Sequence, residues 1–398
     1  MITANSYSLS TEADATLARL QTRSLVVGIV GLVACAAGLV LSPDHFFRGW
    51  LVGFVFWFCM TLGSTALLMV QYLTGGAWGM VIRRPLEASS RTMLLMAVLF
   101  IPILFALPTL FEWARPEAAY DAVIQAKTLY LNKTFFTIRQ FVYFGIWLVM
   151  VYLLNKWSLR EDADRNIYYA KWLQRISGPG LVLYALTLTL CTTDWVMSLD
   201  AHWFSTVFAF MMLSGQGLST LSLMTAMVIL LAHTEPMRSV LTKRHTHDLG
   251  KLMLTFVMLW AYLNFSQLVI IWAGNLPEEI TWYTRRMNNG WQWVGLALLM
   301  FHFVVPFLLL LSQELKKRPK LLTFVALWII AIRLVDVFWL IEPNFDQDQL
   351  RMHWMDLAAP IGIGGVWMAL FLWNLRRHPL MPVNAPDLQK ALNHGRHH

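Results

Sequence analysis

Long apolar runs separated by short polar segments set the pattern of this chain. Ten runs reach the roughly 20 residues that a helix needs to cross the hydrocarbon core of a bilayer. They lie approximately at 24–42, 48–73, 92–112, 135–156, 179–199, 204–232, 250–274, 290–312, 321–341 and 358–376. Only helices and closed barrels satisfy the backbone in lipid, and runs of this length favour helices. The pattern therefore predicts an all-α integral membrane protein with about ten transmembrane helices.

Composition supports this prediction. Of the 398 residues, 57% are hydrophobic and only 14% are charged, whereas soluble domains carry about 25% charged residues. This excludes an ordinary soluble domain and predicts one polytopic membrane domain over 1–398. Residues 1–23 are polar and lack an apolar core followed by a cleavage site, so no cleavable signal peptide is expected. Pro102, Pro108 and Pro306 fall inside apolar runs and predict kinks.

The cationic residues are distributed unevenly between the two sides. Ten spans put both termini on one side, and 22 of the 31 Lys and Arg residues lie on that side, against seven on the other. The positive-inside rule therefore predicts cytoplasmic termini, with an N-tail at 1–23 and a C-tail at 377–398. The net charge of +8 then reflects cytoplasmic loops, and no nucleic-acid partner is expected.

Five ionisable residues lie within the predicted spans: Arg139, Asp194, His302, Arg333 and Asp336. Such groups are costly in lipid and tend to face the bundle interior. Arg333 and Asp336 are three residues apart on one helix face and could pair. Arg139 descends from the outer end of span four and could reach Asp194 on the adjacent antiparallel span.

Two interpretations of these groups stay open. They could be ion pairs that fix helix register, with His302 hydrogen-bonded in the core. They could also form a proton relay or a polar pocket for a quinone headgroup, since carboxylate and imidazole chains mark such sites in membranes. Gln216, within the segment SGQGLSTLS of span six, could line a hydrated path, although small residues there also favour close helix packing.

A weak internal repeat links spans five and nine. Asp194 is followed six residues later by Asp200, and Asp336 is followed six residues later by Glu342. This predicts two parallel four-helix bundles, at 48–199 (spans two to five) and 204–341 (spans six to nine), with spans one and ten peripheral. Repeats of this kind often place polar sites at their interface.

The outer connections carry candidate docking residues. We interpret five residues, in the turn after span five and in the next outer loop, as an interfacial docking and anchoring feature. They are Asp200, His202, Trp203, Glu278 and Glu279. Several tryptophans near the outer ends of spans are typical of an interfacial aromatic belt. They are Trp113, Trp203, Trp272, Trp282, Trp291 and Trp354.

The chain lacks the motifs that hold redox centres. A membrane b-type haem needs two axial histidines at matching depth, and only His302 is deep. Cys35, Cys59 and Cys191 are scattered and form no CxxC pair, and no HExxH motif or glycine-rich phosphate loop is present. We therefore expect no metal site and no redox centre in this chain.

Two motifs resemble a known family. DWVMSLDAHWFST at 194–206 and NFSQLVIIWAGNLPEEITWY at 264–283, with ten spans, are similar to the membrane subunits of alternative complex III. This bacterial quinol:electron-acceptor oxidoreductase belongs to the wider polysulfide-reductase membrane-anchor (NrfD-like) superfamily. Of its two large membrane subunits, C and F, the length and the motif wording resemble F more.

The resemblance implies a subunit of the bacterial cytoplasmic membrane, folded as two four-helix bundles with two peripheral helices. It implies partners that carry the redox centres: an iron–sulfur subunit and c-type cytochromes, beside a second membrane subunit of the same superfamily. A terminal oxidase and membrane lipids are further candidate partners. Quinol would be oxidised near the outer face, so quinone is the candidate ligand. A purely structural anchor remains an alternative, and a secondary transporter is disfavoured because no broken helix is apparent.

Overall fold

The computed structural model describes residues 7–164, 166–346 and 349–394. Within these ranges the chain is helical without strands, and ten helices are long and apolar enough to cross a membrane. We number them α1 Thr11–Leu41, α2 Pro43–Thr74, α3 Ala77–Phe105, α4 Lys133–Ala163, α5 Tyr168–Leu199, α6 Phe208–His233, α7 Lys243–Gly274, α8 Trp291–Leu311, α9 Pro319–Asn344 and α10 Met355–Arg376. The predicted all-α class and number of spans are confirmed.

Short helices lie between these spans. The connection from α3 to α4 contains Glu112–Ala114, Pro116–Tyr120 and Ala122–Ala126, and Pro277–Arg286 joins α7 to α8. Met237–Val240, Gln313–Lys317 and Leu388–Asn393 lie at the other ends of the spans. Local signals set several starts: the Asn132 side chain accepts from the Phe135 N–H at α4, and proline occupies the first turn of α2 and α9.

Helices α2 and α6 form the centre of the molecule. In these two, 94% and 89% of the apolar stretch is buried, compared with 22% in α1 and α7. Helix α6 packs against α2, α7 and α9, while α2 also packs against α5 and α10. Apolar residues buried all round a helix indicate a central position, so polar groups on α2 and α6 lie far from lipid.

The two ends of the chain meet on one side, which we call the terminal side. The Leu380 N–H donates to the Tyr7 carbonyl over 3.0 Å, and Arg376 forms a two-pronged ion pair with Asp14 at 2.7 and 3.0 Å. Helix α1 packs on α10 where Gly28 faces Gly365; a Cβ on either would overlap the opposing backbone. These glycines allow the backbones to approach closely.

One predicted connection is a buried helix. We expected a polar loop at 74–91, but Ala77–Ser90 is helical and its residues from 79 onward are buried. Arg83 bonds Glu161 over 2.5 Å, and Arg84 bonds Glu87 over 2.5 Å and also pairs with Asp162. The loop prediction was wrong because these charges neutralise one another inside the bundle, which hydropathy cannot show.

The proline prediction is borne out in two forms. Around Pro102 the helix is interrupted at Phe100 and Ala106. Before Pro306 a π-helical turn spans Leu299–Val304 and contains His302. Proline has no N–H to donate to the carbonyl four residues earlier, which here belongs to His302. Such π-turns inside α-helices occur frequently at functional sites.

The aromatic-belt interpretation holds for only part of its set. Trp272 and Trp354 are 74% and 44% exposed, as belt residues would be. Trp113, Trp203, Trp282 and Trp291 are instead at most 5% exposed. Trp203 stacks on Trp282 with ring centroids 5.1 Å apart, so these side chains form a packed core on the side opposite the termini, where their large area is buried.

Candidate functional site

The first intramembrane ion pair joins α4 to α5. Arg139 Nε lies 2.9 Å from Asp194 Oδ2, and Arg139 Nη2 lies 2.8 Å from Oδ1. Asp194 is fully buried and Arg139 is 6% exposed. Two parallel N–H···O bonds make this a bidentate charge-assisted contact. The pairing predicted from depth alone is therefore confirmed.

Further donors surround Asp194. The Tyr143 hydroxyl donates to Oδ2 over 3.0 Å, and Gln140 Nε2 donates over 3.2 Å. Both lie on α4 beside Arg139, within one helical turn. The sequence reasoning missed them, although the spacing of residues 139, 140 and 143 on one helix face would have indicated them. Both oxygens of Asp194 are satisfied, so this carboxylate is firmly held.

The second ion pair lies on α9. Arg333 Nη1 donates to Asp336 Oδ2, as the three-residue spacing predicted. Trp260 of α7 donates to the same oxygen over 3.0 Å. Arg333 and Asp336 are each 1% exposed. Both of these hydrogen bonds fall on one oxygen, so Asp336 is held less completely than Asp194.

His302 lies next to this second pair. Its ring is perpendicular to that of Trp260, with centroids 4.6 Å apart, and the same indole bonds Asp336. His302 is fully buried, and neither ring nitrogen has a hydrogen-bond partner among the described residues. The predicted alternative of a hydrogen-bonded core histidine is therefore not what the structure shows. An unpaired buried imidazole is costly unless water or a proton partner serves it.

Gln216 of α6 is a further buried polar residue, next to Gly215, which faces Arg333. The Tyr184 hydroxyl donates to Gln216 Oε1, and Gln216 Nε2 has no partner among the described residues. Cys59 lies within interaction range of Gln216 and Arg333. Cys191 lies within electrostatic range of both Asp194 and Cys59. Polar groups thus continue from the first pair to the second through the centre of the bundle.

Below Gln216, α6 carries buried hydroxyls towards the terminal side. Thr220, Ser222 and Thr225 are buried, and their hydroxyls have no partner among the described residues. Gly63 of α2 faces Gln216 and Thr220. Because α2 and α6 run in the same direction at 1.5 Å per residue, Gln71 lies near the level of residue 224 to 228. Its buried Oε1 is also unpartnered.

A cleft opens near Asp194 on the side of the molecule opposite the termini. Its volume is about 350 Å³, and its polar lining includes Lys127, Tyr130 and Ser198. A second cavity of about 200 Å³ shares Thr193 with it and continues between α5 and α6. The Tyr130 ring lies 3.8 Å from the Arg139 guanidinium, and its buried hydroxyl makes no hydrogen bond within the described ranges.

The predicted docking residues are divided between surface and core. Asp200 is 1% exposed and pairs with Arg285 over 2.8 Å. Trp203 is buried, and its Nε1 donates to the Glu279 carbonyl over 3.1 Å. Glu279 is half-buried, whereas His202 and Glu278 are exposed. Of the five, only these last two have exposed side chains.

Asp200 belongs to a cluster of acidic residues that also contains one histidine. Single ligand atoms of Glu112, Asp200 and His202 lie within 4.8 Å of one another. His202 Nε2 also lies 2.7 Å from Asp121 Oδ2. Arg285 already compensates Asp200, so this group is an internally balanced network on the surface opposite the termini.

No family model matches the chain, and no curated protein matches it either. Its function is therefore inferred from the buried polar groups themselves. These groups include every predicted intramembrane site residue, and the structure adds Tyr143, Gln140, Trp260 and Tyr184 as hydrogen-bond partners.

Gly215 provides a test of the second ion pair. A Cβ at this position would overlap the Arg333 guanidinium. Because Asp336 holds that guanidinium, Gly215→Ala is expected to lower the free energy of unfolding by about 1–3 kcal/mol. Thermal or denaturant unfolding in detergent measures this. Gly145→Ala is the matched control, since its Cβ would meet open space and alanine favours the helix by up to about 1 kcal/mol. Equal effects would contradict the account.

Glu112 gives a pH-dependent prediction. Burial, with the Asp200 carboxylate nearby, raises the pKa of Glu112 above its ordinary value of 4.5. An acid whose pKa is higher in the folded protein costs stability above that pKa and costs nothing below its unfolded value. Glu112→Gln is therefore expected to raise the unfolding temperature at pH 7 to 8 and to leave it unchanged near pH 4. A shift of the same size at both pH values would contradict this.

Proposed function

We propose that this chain is a membrane subunit of a respiratory quinol-oxidising complex and that its polar interior conducts protons. One observation carries the proposal. Buried polar groups lie along the bundle from Asp194 through Tyr184 and Gln216 to the unpartnered hydroxyls of α6. Ionisable groups inside membrane bundles mark ion and proton pathways. Unpartnered buried hydroxyls are the groups that internal waters satisfy.

The two carboxylates have different roles in this proposal. Asp194 receives four hydrogen bonds on two oxygens, so it anchors the outer end and fixes α4 against α5. Asp336 receives its hydrogen bonds on one oxygen and lies beside the unpartnered His302. It is therefore the group that exchanges a proton, with the imidazole as the next acceptor.

The orientation follows the charge distribution. We propose that the terminal side is cytoplasmic, because 22 of the 31 cationic side chains lie on the side of the chain termini. The cleft beside Asp194 then opens on the extracytoplasmic side. Packing of α4 on α5, and of α6 on α7 and α9, supports two four-helix bundles with α1 and α10 outside them.

The proposed partners carry the redox centres. The motifs at 194–206 and 264–283 resemble alternative complex III subunits, which implies an iron–sulfur subunit, c-type cytochromes and a second membrane subunit in a bacterial cytoplasmic membrane. A terminal oxidase is a further candidate. Exposed His202 and Glu278 lie on the surface where an extracytoplasmic partner would dock. Haem and iron–sulfur clusters would belong to those partners, and this chain would supply the proton path.

A second function, quinone binding, is favoured by the cleft itself. Its volume of about 350 Å³ falls within the range of small-molecule sites. The unpartnered Tyr130 hydroxyl and the half-buried Lys127 could donate to a quinone carbonyl. The neighbouring cavity along Thr189, Thr193 and Phe208 would take the first part of an isoprenoid tail. A purely structural anchor remains the alternative to both functions.

The test is purification through a tag on this subunit from its native membrane. Haem absorbance and acid-labile sulfide should co-purify, and the preparation should oxidise quinol. Recovery of the chain alone, or with partners that lack haem and iron–sulfur clusters, would contradict the proposed complex. A complex that oxidises quinol and translocates no protons beyond the two that each quinol loses would instead support the anchor role.

A further inference from the structure

A second polar feature lies on the terminal side, on the lipid-facing surface of α4 and α5. Trp157 near the end of α4 and Trp172 near the start of α5 are stacked, with centroids 5.7 Å apart and an interplanar angle of 7°. Tyr168 packs edge-on against both, at 6.5 and 5.9 Å. Aromatic side chains of this kind are typical of the membrane interface, where one edge is apolar and the other hydrated.

Two arginines contact this aromatic platform, and Lys156 and Lys171 flank its tryptophans in sequence. The Arg160 guanidinium lies 5.0 Å from the Trp157 ring centroid, and Arg175 lies 5.9 Å from that of Trp172. Lys156 is half-buried and Lys171 is exposed. None of the four makes an ion pair within the described ranges. The two arginines therefore place positive charge on the platform that no ion pair within the described ranges compensates.

The neighbouring acids do not neutralise it. Glu161 is 3% exposed and bonds Arg83 inside the bundle. Asp162 faces the same interior network, where it pairs with Arg84 and accepts from the Val383 N–H over 3.1 Å. Glu161 and Asp162 thus face inward, and Asp164 at the end of the helix is the one exposed acid among the described residues of this segment.

The platform also has an unused donor. Trp172 is not exposed, and its Nε1 is buried without a hydrogen-bond partner among the described residues. An indole N–H can only donate, and a buried donor without an acceptor costs about 1–3 kcal/mol. An acceptor oxygen from a bound molecule would satisfy it.

Lipid-facing stripes lead directly to these cations. On α4, Val142, Val149 and Tyr152 are between 50% and 60% exposed and lie on the helix face that continues to Lys156. On α5, Val182 and Leu186 are 61% and 58% exposed, on the face that continues to Arg175. Acyl chains on these stripes would bring a headgroup to the platform, which distinguishes a lipid from a soluble anion.

We propose that this platform binds an anionic phospholipid, and that its two arginines, one on each tryptophan, select a headgroup with two phosphates, of the cardiolipin type, with Lys156 and Lys171 as the flanking cations. Basic pockets between transmembrane helices bind such headgroups. Arginine binds phosphate oxygens through paired N–H groups, and the Trp172 N–H supplies one more donor. The site does not depend on the proton path, which lies on other faces of α5 and α6.

The experiment uses the purified full chain in a neutral detergent. Native mass spectrometry and the thermal unfolding midpoint are recorded with cardiolipin, with phosphatidylcholine and with inorganic phosphate. Cardiolipin should bind and raise the midpoint, whereas phosphatidylcholine and phosphate should not. Replacing Lys156, Arg160, Lys171 and Arg175 with Gln should weaken cardiolipin binding about tenfold or more.

The matched control removes four exposed cations on the same side without an aromatic pair: Arg19→Gln, Arg23→Gln, Arg318→Gln and Lys320→Gln. It should keep cardiolipin affinity within about twofold of the native value. If the four-cation variant fails to fold, Trp172→Phe and Lys171→Gln/Arg175→Gln replace it and should still weaken binding. Equal loss in the control, or equal stabilisation by phosphatidylcholine or free phosphate, would overturn the proposal.

Discussion

Replacing Asp194 with asparagine is expected to lower the free energy of unfolding by about 3–5 kcal/mol. Asparagine keeps the shape but removes the charge that Arg139 faces, with both side chains at most 6% exposed. A buried guanidinium without its carboxylate bears the full cost of desolvation. Denaturant unfolding of the purified chain in detergent micelles would measure this loss.

The matched control is Asp14→Asn, which breaks the half-exposed ion pair with Arg376. That change should cost about 1 kcal/mol or less, because solvent screens the pair. Adding Arg139→Gln to Asp194→Asn should restore part of the lost stability, because it removes the buried guanidinium that has lost its carboxylate partner. Strictly additive effects, or an Asp194→Asn cost no larger than the control, would contradict a tightly coupled buried pair.

Asp336→Asn is expected to lower proton translocation about tenfold or more, counted beyond the one proton per electron that quinol oxidation itself releases, while the complex still assembles. The argument rests on position: Asp336 shares the Trp260 indole with His302, whose ring nitrogens are unpartnered among the described residues. Asparagine can occupy the same space, but its amide does not gain or lose a proton at physiological pH. A tenfold loss corresponds to about 1.4 kcal/mol in the barrier for proton transfer.

The measurement records acidification of proteoliposomes with a pH-sensitive dye while quinol is oxidised by the purified complex. Asp14→Asn again serves as the control, because it removes a paired carboxylate far from α6. His302→Gln should give a smaller loss in the same direction. Proton release by Asp336→Asn equal to that of Asp14→Asn would assign Asp336 to a structural ion pair.

Much of the membrane architecture follows from the sequence because lipid imposes simple costs. Apolar length reveals the ten spans, and a charge in lipid must find a partner. The spacing of Arg333 and Asp336, and the shared depth of Arg139 and Asp194, therefore predicted both ion pairs.

The neutral partners could not be predicted in the same way. Tyr143, Trp260 and Tyr184 give the same hydropathy whether they face a carboxylate or pack in a core, and their partners lie between 32 and 76 residues away. The burial of Asp200 also depends on a distant residue, Arg285. Such contacts depend on how the helices pack, which periodicity in one sequence does not record.

The burial of the charged residues of α3 also could not be predicted from the local sequence. Arg83, Arg84 and Glu87 have the composition of a loop, yet they are at most 2% exposed. Their partners on α4, Glu161 and Asp162, are 78 residues further along. Hydropathy scores each residue separately, so it cannot show that these charges pair with one another inside the bundle.

The most direct test of the central claim removes no charge. Gln216→Leu would interrupt the polar set between the ion pairs and the hydroxyls of α6 and leave both pairs in place. Thr187→Val is the matched control, because it also deletes a buried acceptor of an aromatic donor, Trp147 over 2.9 Å. Protons translocated per electron, beyond the one that quinol oxidation itself releases, should fall several-fold in Gln216→Leu and stay unchanged in Thr187→Val, with quinol oxidation retained in both. An unchanged ratio in Gln216→Leu would contradict proton conduction through this subunit.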